Sequence, residues 1–161
     1  MTAKLIDGKA IAASVRAAVK ERVTELTART GVRPGLTVVL VGEDPASRVY
    51  VRHKGKAASE AGFLSRQIDL PASTPEKELL DLVARLNADD TVHGILVQLP
   101  LPDQIDESKV IEAIDPAKDV DGFTPANVGL LVQNRPCLVA CTPSGVIELL
   151  GRSGIDVKGA R

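Results

Sequence analysis

Apolar residues recur at helical spacing from about Lys9 to Ala28, at Ile11, Val15, Val19, Val23 and Leu26, and predict a long first helix that Gly31, Pro34 and Gly35 stop. The pattern then changes. Leu36-Thr-Val-Val-Leu-Val41 is a short β-branched block of the kind that forms a strand buried on both faces, ending at Gly42. Asp44 is placed to cap a second helix and Pro45 to occupy its first turn, and that helix closes near Gly62. Phe63 to Leu70 reads as a second strand. Thr74 and Pro75 start a third helix with a core stripe of Leu79, Leu82, Val83 and Leu86, and another buried strand follows in Gly94-Ile-Leu-Val97. Helices alternating with apolar strands predict an α/β fold on a parallel sheet, in which ligands bind beyond the carboxyl ends of the strands. Gly42 to Lys54 follows one such end, and Gln98 sits at another.

From Pro102 onward the pattern is less regular. Asp106 to Ile114 predicts a short helix, Asp119-Val-Asp-Gly-Phe123 a turn, and Asn127 to Val132 a helical segment. Thr142-Pro-Ser-Gly145 introduces a last helix with Val146, Leu149 and Leu150 on one stripe, and Gly151 to Arg161 reads as a turn leading towards a further strand. No internal repeat or low-complexity tract is present.

Lys54 stands out against the second helix. At about 100° per residue, Tyr50, Val51, Ala57, Ala58 and Ala61 all fall within roughly 60° of it, while Arg48, Arg52, Lys56 and Ser59 fall on the far side. An ammonium on an apolar face must be paired, deprotonated or aimed into a cavity, unless its stem lies on the core and its head reaches water. Tyr50 lies one turn earlier, about 6 Å away between β-carbons, so a phenol and an amine are placed to share one pocket. Gln98 is an amide directly after a core strand and before Pro100; it is a neutral partner able to orient an amine without fixing it as a salt bridge. Asp119 and Asp121 hint at a calcium loop, but the remaining ligands are missing at that spacing, and a turn is the simpler reading. Facing a cleft, the Asp121 carboxylate would accept two hydrogen bonds from a planar amidine-like heterocycle.

Composition narrows the function classes. Of 161 residues, 44% are hydrophobic, in the usual range for a soluble globular protein, and 20 basic against 21 acidic residues leave a net charge of −1 without long runs of either sign. With two Phe, one Tyr and no Trp as well, no nucleic-acid surface is expected. Asp7 and Lys9 break the opening apolar stretch early and no membrane-spanning run follows, which predicts a cytoplasmic protein with no membrane partner. Cys137 and Cys141 are four apart, roughly 13 Å in an extended segment, too far for a disulfide; with no Cys or His neighbours at ligand spacing they are read as reduced, structural thiols, and no metal is expected.

The ordered blocks carry a specific resemblance. Val41-Gly-Glu-Asp-Pro-Ala-Ser47, Tyr50-x-x-x-Lys54-x-Lys56-Ala57, Glu76-Lys-Glu-Leu-Leu80, Leu86-Asn-Ala-Asp89, Gly94-Ile-Leu-Val-Gln-Leu-Pro-Leu-Pro102, Asp119-Val-Asp-Gly-Phe123 and Cys141-Thr-Pro-Ser-Gly145 together span the chain. They resemble the bifunctional methylenetetrahydrofolate dehydrogenase/cyclohydrolase family. The resemblance implies a three-layer α/β, parallel-sheet folate-binding domain over residues 1–141, with residues 142–161 a linking helix and the start of a Rossmann NADP-binding domain. It implies Tyr50, Lys54 and Gln98 as the catalytic group, and a folate site of these with Val97, Leu99 and Asp121, Asp121 holding the pterin ring. Thr142, Pro143 and Gly145 would lie near the nicotinamide of NADP, and the family suggests a homodimer acting on one-carbon derivatives of tetrahydrofolate.

The family's Gly-Arg-Ser-x-x-Val-Gly-x-Pro loop and its later Pro-Gly-Gly-rich loop are not found in these 161 residues, and no Gly-x-Gly occurs among them. The expectation is therefore the amino-terminal catalytic half of such an enzyme, cut before its cofactor domain. The complete enzyme would oxidise 5,10-methylenetetrahydrofolate with NADP and hydrolyse the methenyl product to 10-formyltetrahydrofolate. The alternative is a non-catalytic folate-binding or dimerising module. A different nicotinamide-dependent dehydrogenase on the same layout is disfavoured by the Gln-Leu-Pro-Leu-Pro block.

Overall fold

A computed structural model describes residues 5–159. Residues 1–4 and 160–161, on which parts of the readings of the opening and of the terminal turn fall, lie outside that range. The elements are α1 (Gly8–Thr30), β1 (Gly35–Val41), α2 (Pro45–Glu60), β2 (Leu64–Leu70), α3 (Glu76–Ala88), β3 (Gly94–Val97), α4 (Glu107–Ala113), α5 (Pro125–Val132) and α6 (Cys141–Arg152). All three strands are parallel in the order β2-β1-β3, with Val39 opposite both Ile68 and Val97.

Side chains alternate across a strand, so β1 feeds two cores. Val39 and Val41 pack with Ile95 and Val97 of β3 against Leu79, Leu82, Val83 and Leu86 of α3 and Val110 of α4. On the opposite face Val38, Leu40 and Leu96 pack against Val51 of α2. The expected three-layer α/β arrangement follows. The chain leaves β1 through α2 to reach β2 on one side, then crosses back through α3 on the other face to β3 on the far side of β1. The crevice between the carboxyl ends of β1 and β3 is thus a topological switch point, where α/β sheets bind ligands.

Several expectations need correction. α3 begins at Glu76, just after the expected Thr74-Pro75 start: Pro75 occupies the cap position without a side-chain bond, and the Thr74 hydroxyl donates to the Pro71 carbonyl at 2.7 Å. The stripe of α1 is only half covered, with Val23 its one buried residue among those described. No side chain of the α6 stripe is fully buried: Val146 is 49% exposed, and Leu149 and Leu150 are half-buried. Residues 155–159 form no strand.

Candidate active site

The amino-terminal half of α2 carries two of the expected site residues. Asp44 Oδ2 accepts the Ser47 amide at 2.7 Å, fixing where the helix begins and thereby how its later turns are phased. Val51 and Ala61 are buried as the periodicity predicts, and Lys54, Ala57 and Ala58 are half-buried. Tyr50 is the exception, 62% exposed: the face that meets the sheet at Val51 opens onto a cavity at Tyr50. Lys54 Nζ donates to Gln98 Oε1 at 3.2 Å.

Gln98 prolongs the ladder of β3 by one bond, its amide donating to Val39 O at 2.9 Å. Its side-chain Nε2 donates to Leu99 O at 2.7 Å, so the amide oxygen is the end turned to Lys54; a flipped amide would press two oxygens together. The Leu99–Pro100 peptide is cis, and the segment beyond it is tied down where Leu101 N donates to Glu107 Oε1 at 2.9 Å. Gln104 Nε2 fastens the same segment to Ala72 O at 2.7 Å and Thr74 O at 3.1 Å.

A third strand-end segment, residues 116–124, brings in Asp121. Ile95 N donates to Lys118 O at 2.7 Å, which stitches the segment to the free edge of β3. Lys118 Nζ is spent on the carbonyls of Leu86, Asn87 and Asp89 at the end of α3. Gly122 has φ +65°, and a β-carbon there would lie 2.8 Å from Leu138 O and 2.9 Å from Ala140 N. Only glycine lets the turn press against residues 138–140, which lead into α6.

These three segments enclose a cavity of about 500 Å³. Tyr50, Lys54, Val97, Gln98, Leu99 and Asp121 line it, as do Thr142 and Pro143 at the start of α6. Gly145, expected beside them, does not line it. Phe123, Ala140 and Cys141 do, and were not read as site residues. Phe123 and Cys141 stood inside the quoted motifs, but nothing in the residue pattern separated the cavity wall from turn and helix cap. Cys137 and Cys141 are free thiols, and Cys141 is exposed, with Sγ 3.7 Å from Val120 O. A second cavity, about 560 Å³, runs along α1 between Val19, Leu26 and Phe63 and contains none of these groups, so size alone does not select the site.

Charge in the cavity is sparse. Burial pushes the Asp121 carboxyl above its ordinary range; the nearby Lys54 charge pulls it back, and Asp119 pushes it further up. Its carboxylate has no hydrogen-bond partner among the described residues, so it is desolvated and unpaired. Asp119 behaves oppositely: burial pushes it up, but bonds from Asn127 and Thr124 prevail and hold it below the ordinary range. Among the described residues no three His, Cys, Asp or Glu side chains group as metal ligands. None of the described helices is long and apolar enough to cross a membrane.

Comparison with known proteins places these features in context. Residues 6–121 match the family described as tetrahydrofolate dehydrogenase/cyclohydrolase, catalytic domain. The chain is 59% identical over all 161 residues to the bifunctional protein FolD of Moorella thermoacetica, spanning 57% of that protein's length. The corresponding Acidiphilium cryptum protein is 60% identical and is spanned over 56% of its length. Among solved structures, the Campylobacter jejuni FolD methylenetetrahydrofolate dehydrogenase/cyclohydrolase superposes with a TM-score of 0.92 at 45% identity, over 95% of this chain and 54% of that one. The Trypanosoma brucei enzyme, solved with NADP cofactor and inhibitor, gives a TM-score of 0.92 at 41% identity, over 98% of this chain and 54% of the other.

Proposed function

Because the chain belongs to the tetrahydrofolate dehydrogenase/cyclohydrolase family, through its catalytic domain, we propose that its cavity is the folate site of a bifunctional enzyme. There 5,10-methylenetetrahydrofolate is oxidised with NADP, and the methenyl product is hydrolysed to 10-formyltetrahydrofolate. The observation that carries this reading is the meeting of Lys54, Gln98, Tyr50 and Asp121 around one cavity at the switch point of the sheet.

NADP would supply the acceptor for the hydride that leaves the bridging carbon. Thr142 and Pro143 line the wall proposed to face the nicotinamide. The described residues offer no Gly-x-Gly turn to cradle a pyrophosphate, so the residue roles here concern hydrolysis.

In hydrolysis the water oxygen bonds to the cationic amidinium carbon and the water gives up a first proton, leaving a hydroxyl on that carbon. The hydroxyl gives up the second proton as the bond from the carbon to N5 breaks, N5 takes a proton, and the carbon remains on N10 as a formyl group. Overall one water is consumed and one proton released. Lys54 is the group placed to move these protons, and Gln98, whose oxygen accepts from Nζ whether the nitrogen is ammonium or amine, keeps it aimed. Tyr50, at the open side of the cavity, positions the ring and the amine. Asp121 anchors the pterin: an unpaired, desolvated carboxylate gains most from a ligand that donates two parallel hydrogen bonds.

Lys54→Met tests the reading, since Met fills a similar volume without a charge. Methenyl hydrolysis and thermal melting are measured together. Hydrolysis is expected to fall by about 100-fold or more with the fold intact; near-normal hydrolysis would return Lys54 to a surface role. The division at residue 141 belongs to the same proposal, supported by α6 beginning at Cys141 and fully burying no side chain. A cytoplasmic homodimer completes it, on family resemblance, with light scattering as the check on the dimer.

A further inference from the structure

We infer that Asp119 is a positioning residue of this site: its buried carboxylate closes the 116–127 segment into the shape that holds Asp121 over the cavity. The inference rests on the folate reading of that cavity. Asp119 is 2% exposed and does not line the 500 Å³ cavity, so it acts through its neighbours. Its Oδ2 accepts the Thr124 amide at 2.8 Å and Asn127 Nδ2 at 3.0 Å. Asn127 Nδ2 also reaches Pro116 O at 2.9 Å, so one amide ties together the start of the segment, its middle and α5. The main chain closes the same loop from Asp119 O to Gly122 N at 3.2 Å. Residues 120–123 are thus pinned at both ends, and two of them, Asp121 and Phe123, line the cavity.

A turn needs only an acceptor at this point, which an amide would supply without the cost of burying a charge. The charge has a further effect, because it sits beside the carboxyl that is to meet the pterin and disfavours its ionised form. The Asp119 charge thus adds to burial in raising the Asp121 carboxyl, against the pull of the nearby Lys54 charge. Asp119 supplies both the geometry and part of the field at the anchoring carboxylate.

The test uses the 161-residue chain. Asp119→Asn keeps the shape and an acceptor but removes the charge. In unliganded protein the carboxyl carbon of Asp121, followed by NMR, is expected to titrate at lower pH in the variant than in the parent. Thr124→Ala, which strips the α5 cap at Asn127 N but keeps the Asp119 charge, should leave that midpoint in place. Equal midpoints in parent and Asp119→Asn, or an equal displacement in Thr124→Ala, would reduce Asp119 to a structural turn residue. The geometry is read with 5-formyltetrahydrofolate and Asn127→Ala, which breaks the ties to Asp119 and Pro116 and should raise Kd about tenfold with methenyl hydrolysis at saturation largely kept. Should Asp119→Asn fail to fold, this arm decides alone, and unchanged affinity in Asn127→Ala overturns the inference. A parent chain that does not bind this folate would overturn the folate reading instead, while the titration arm still decides the role of Asp119.

Discussion

Asp119 and Asp121 stand two residues apart, and pH acts on them in opposite senses. Asp121 has a folded pKa above its ordinary value of 3.8, so as pH rises the unfolded chain releases that proton first. Its contribution to stability therefore falls as pH climbs from 3.8 through the raised folded value, and the penalty is complete above it. Asp121→Asn carries no such penalty: it should melt higher than the parent at neutral pH, with the difference shrinking as pH drops below 3.8. Melting curves of both proteins across that range check it, and a gap independent of pH would mean Asp121 is not desolvated. For Asp119 the sign reverses, since its folded value is depressed; its contribution is present above 3.8 and lost as pH falls through the folded value. None of this was visible in Asp-Val-Asp-Gly, which reads as a solvated turn, because burial of Asp119 comes from Asn127 and the edge of β3, contacts a local pattern does not contain. Lys54 was legible for the converse reason. Its helix face is set by a local period, which also puts Tyr50 beside it on one cavity, although Tyr50 is 62% exposed there.

Among the elements, those whose stabilising contacts are local matched their sequence signals closely. The Asp44 cap, Pro45 in the first turn of α2 and the apolar blocks of β1 and β3 are of this kind. Strand order was not, since pairing of β1 with both β2 and β3 joins residues far apart in the chain. One contact between elements yields a direct test of how the site is assembled. A β-carbon on Gly94, the first residue of β3, would sit 2.5 Å from Val120 Cγ1 and 3.4 Å from Leu36 Cδ1. Val120 is β-branched and precedes Asp121, so it has little freedom to turn aside without moving the anchor. Gly94→Ala should thus cost about 1–3 kcal/mol by overpacking and weaken folate binding beyond that of a core variant of equal stability, such as Val83→Ala. Denaturant melts paired with calorimetric titration separate the two effects; equal affinity in both variants would show that Val120 yields without disturbing Asp121.

At the scale of the whole molecule, the two proposed reactions make different demands on the same crevice. Hydrolysis needs water, a group to carry protons and an anchor for the pterin; in the proposal Lys54, oriented by Gln98, carries the protons and Asp121 is the anchor, brought together from α2, the end of β3 and the segment along its edge. Oxidation needs in addition a surface for a dinucleotide, typically a glycine-rich turn between a strand and a helix amino terminus. The turn after β1 leads into α2 through Gly42-Glu-Asp-Pro45, where Asp44 itself occupies the first amides and presents a negative charge to any phosphate. β2 runs into α3 through Pro71-Ala-Ser-Thr-Pro75, with Glu76 and Glu78 in the first turn. Both helix starts that follow a strand directly are therefore closed to a pyrophosphate by their own carboxylates. The 161-residue chain is accordingly expected to hydrolyse methenyltetrahydrofolate without any cofactor, yet to form none from the methylene compound when NADP is added. Calorimetric titration with NADP, run beside absorbance assays for both reactions, checks this. Saturable micromolar binding or NADP-dependent methenyl formation would place a cofactor site within these residues and overturn the assignment of carboxylate-blocked helix starts.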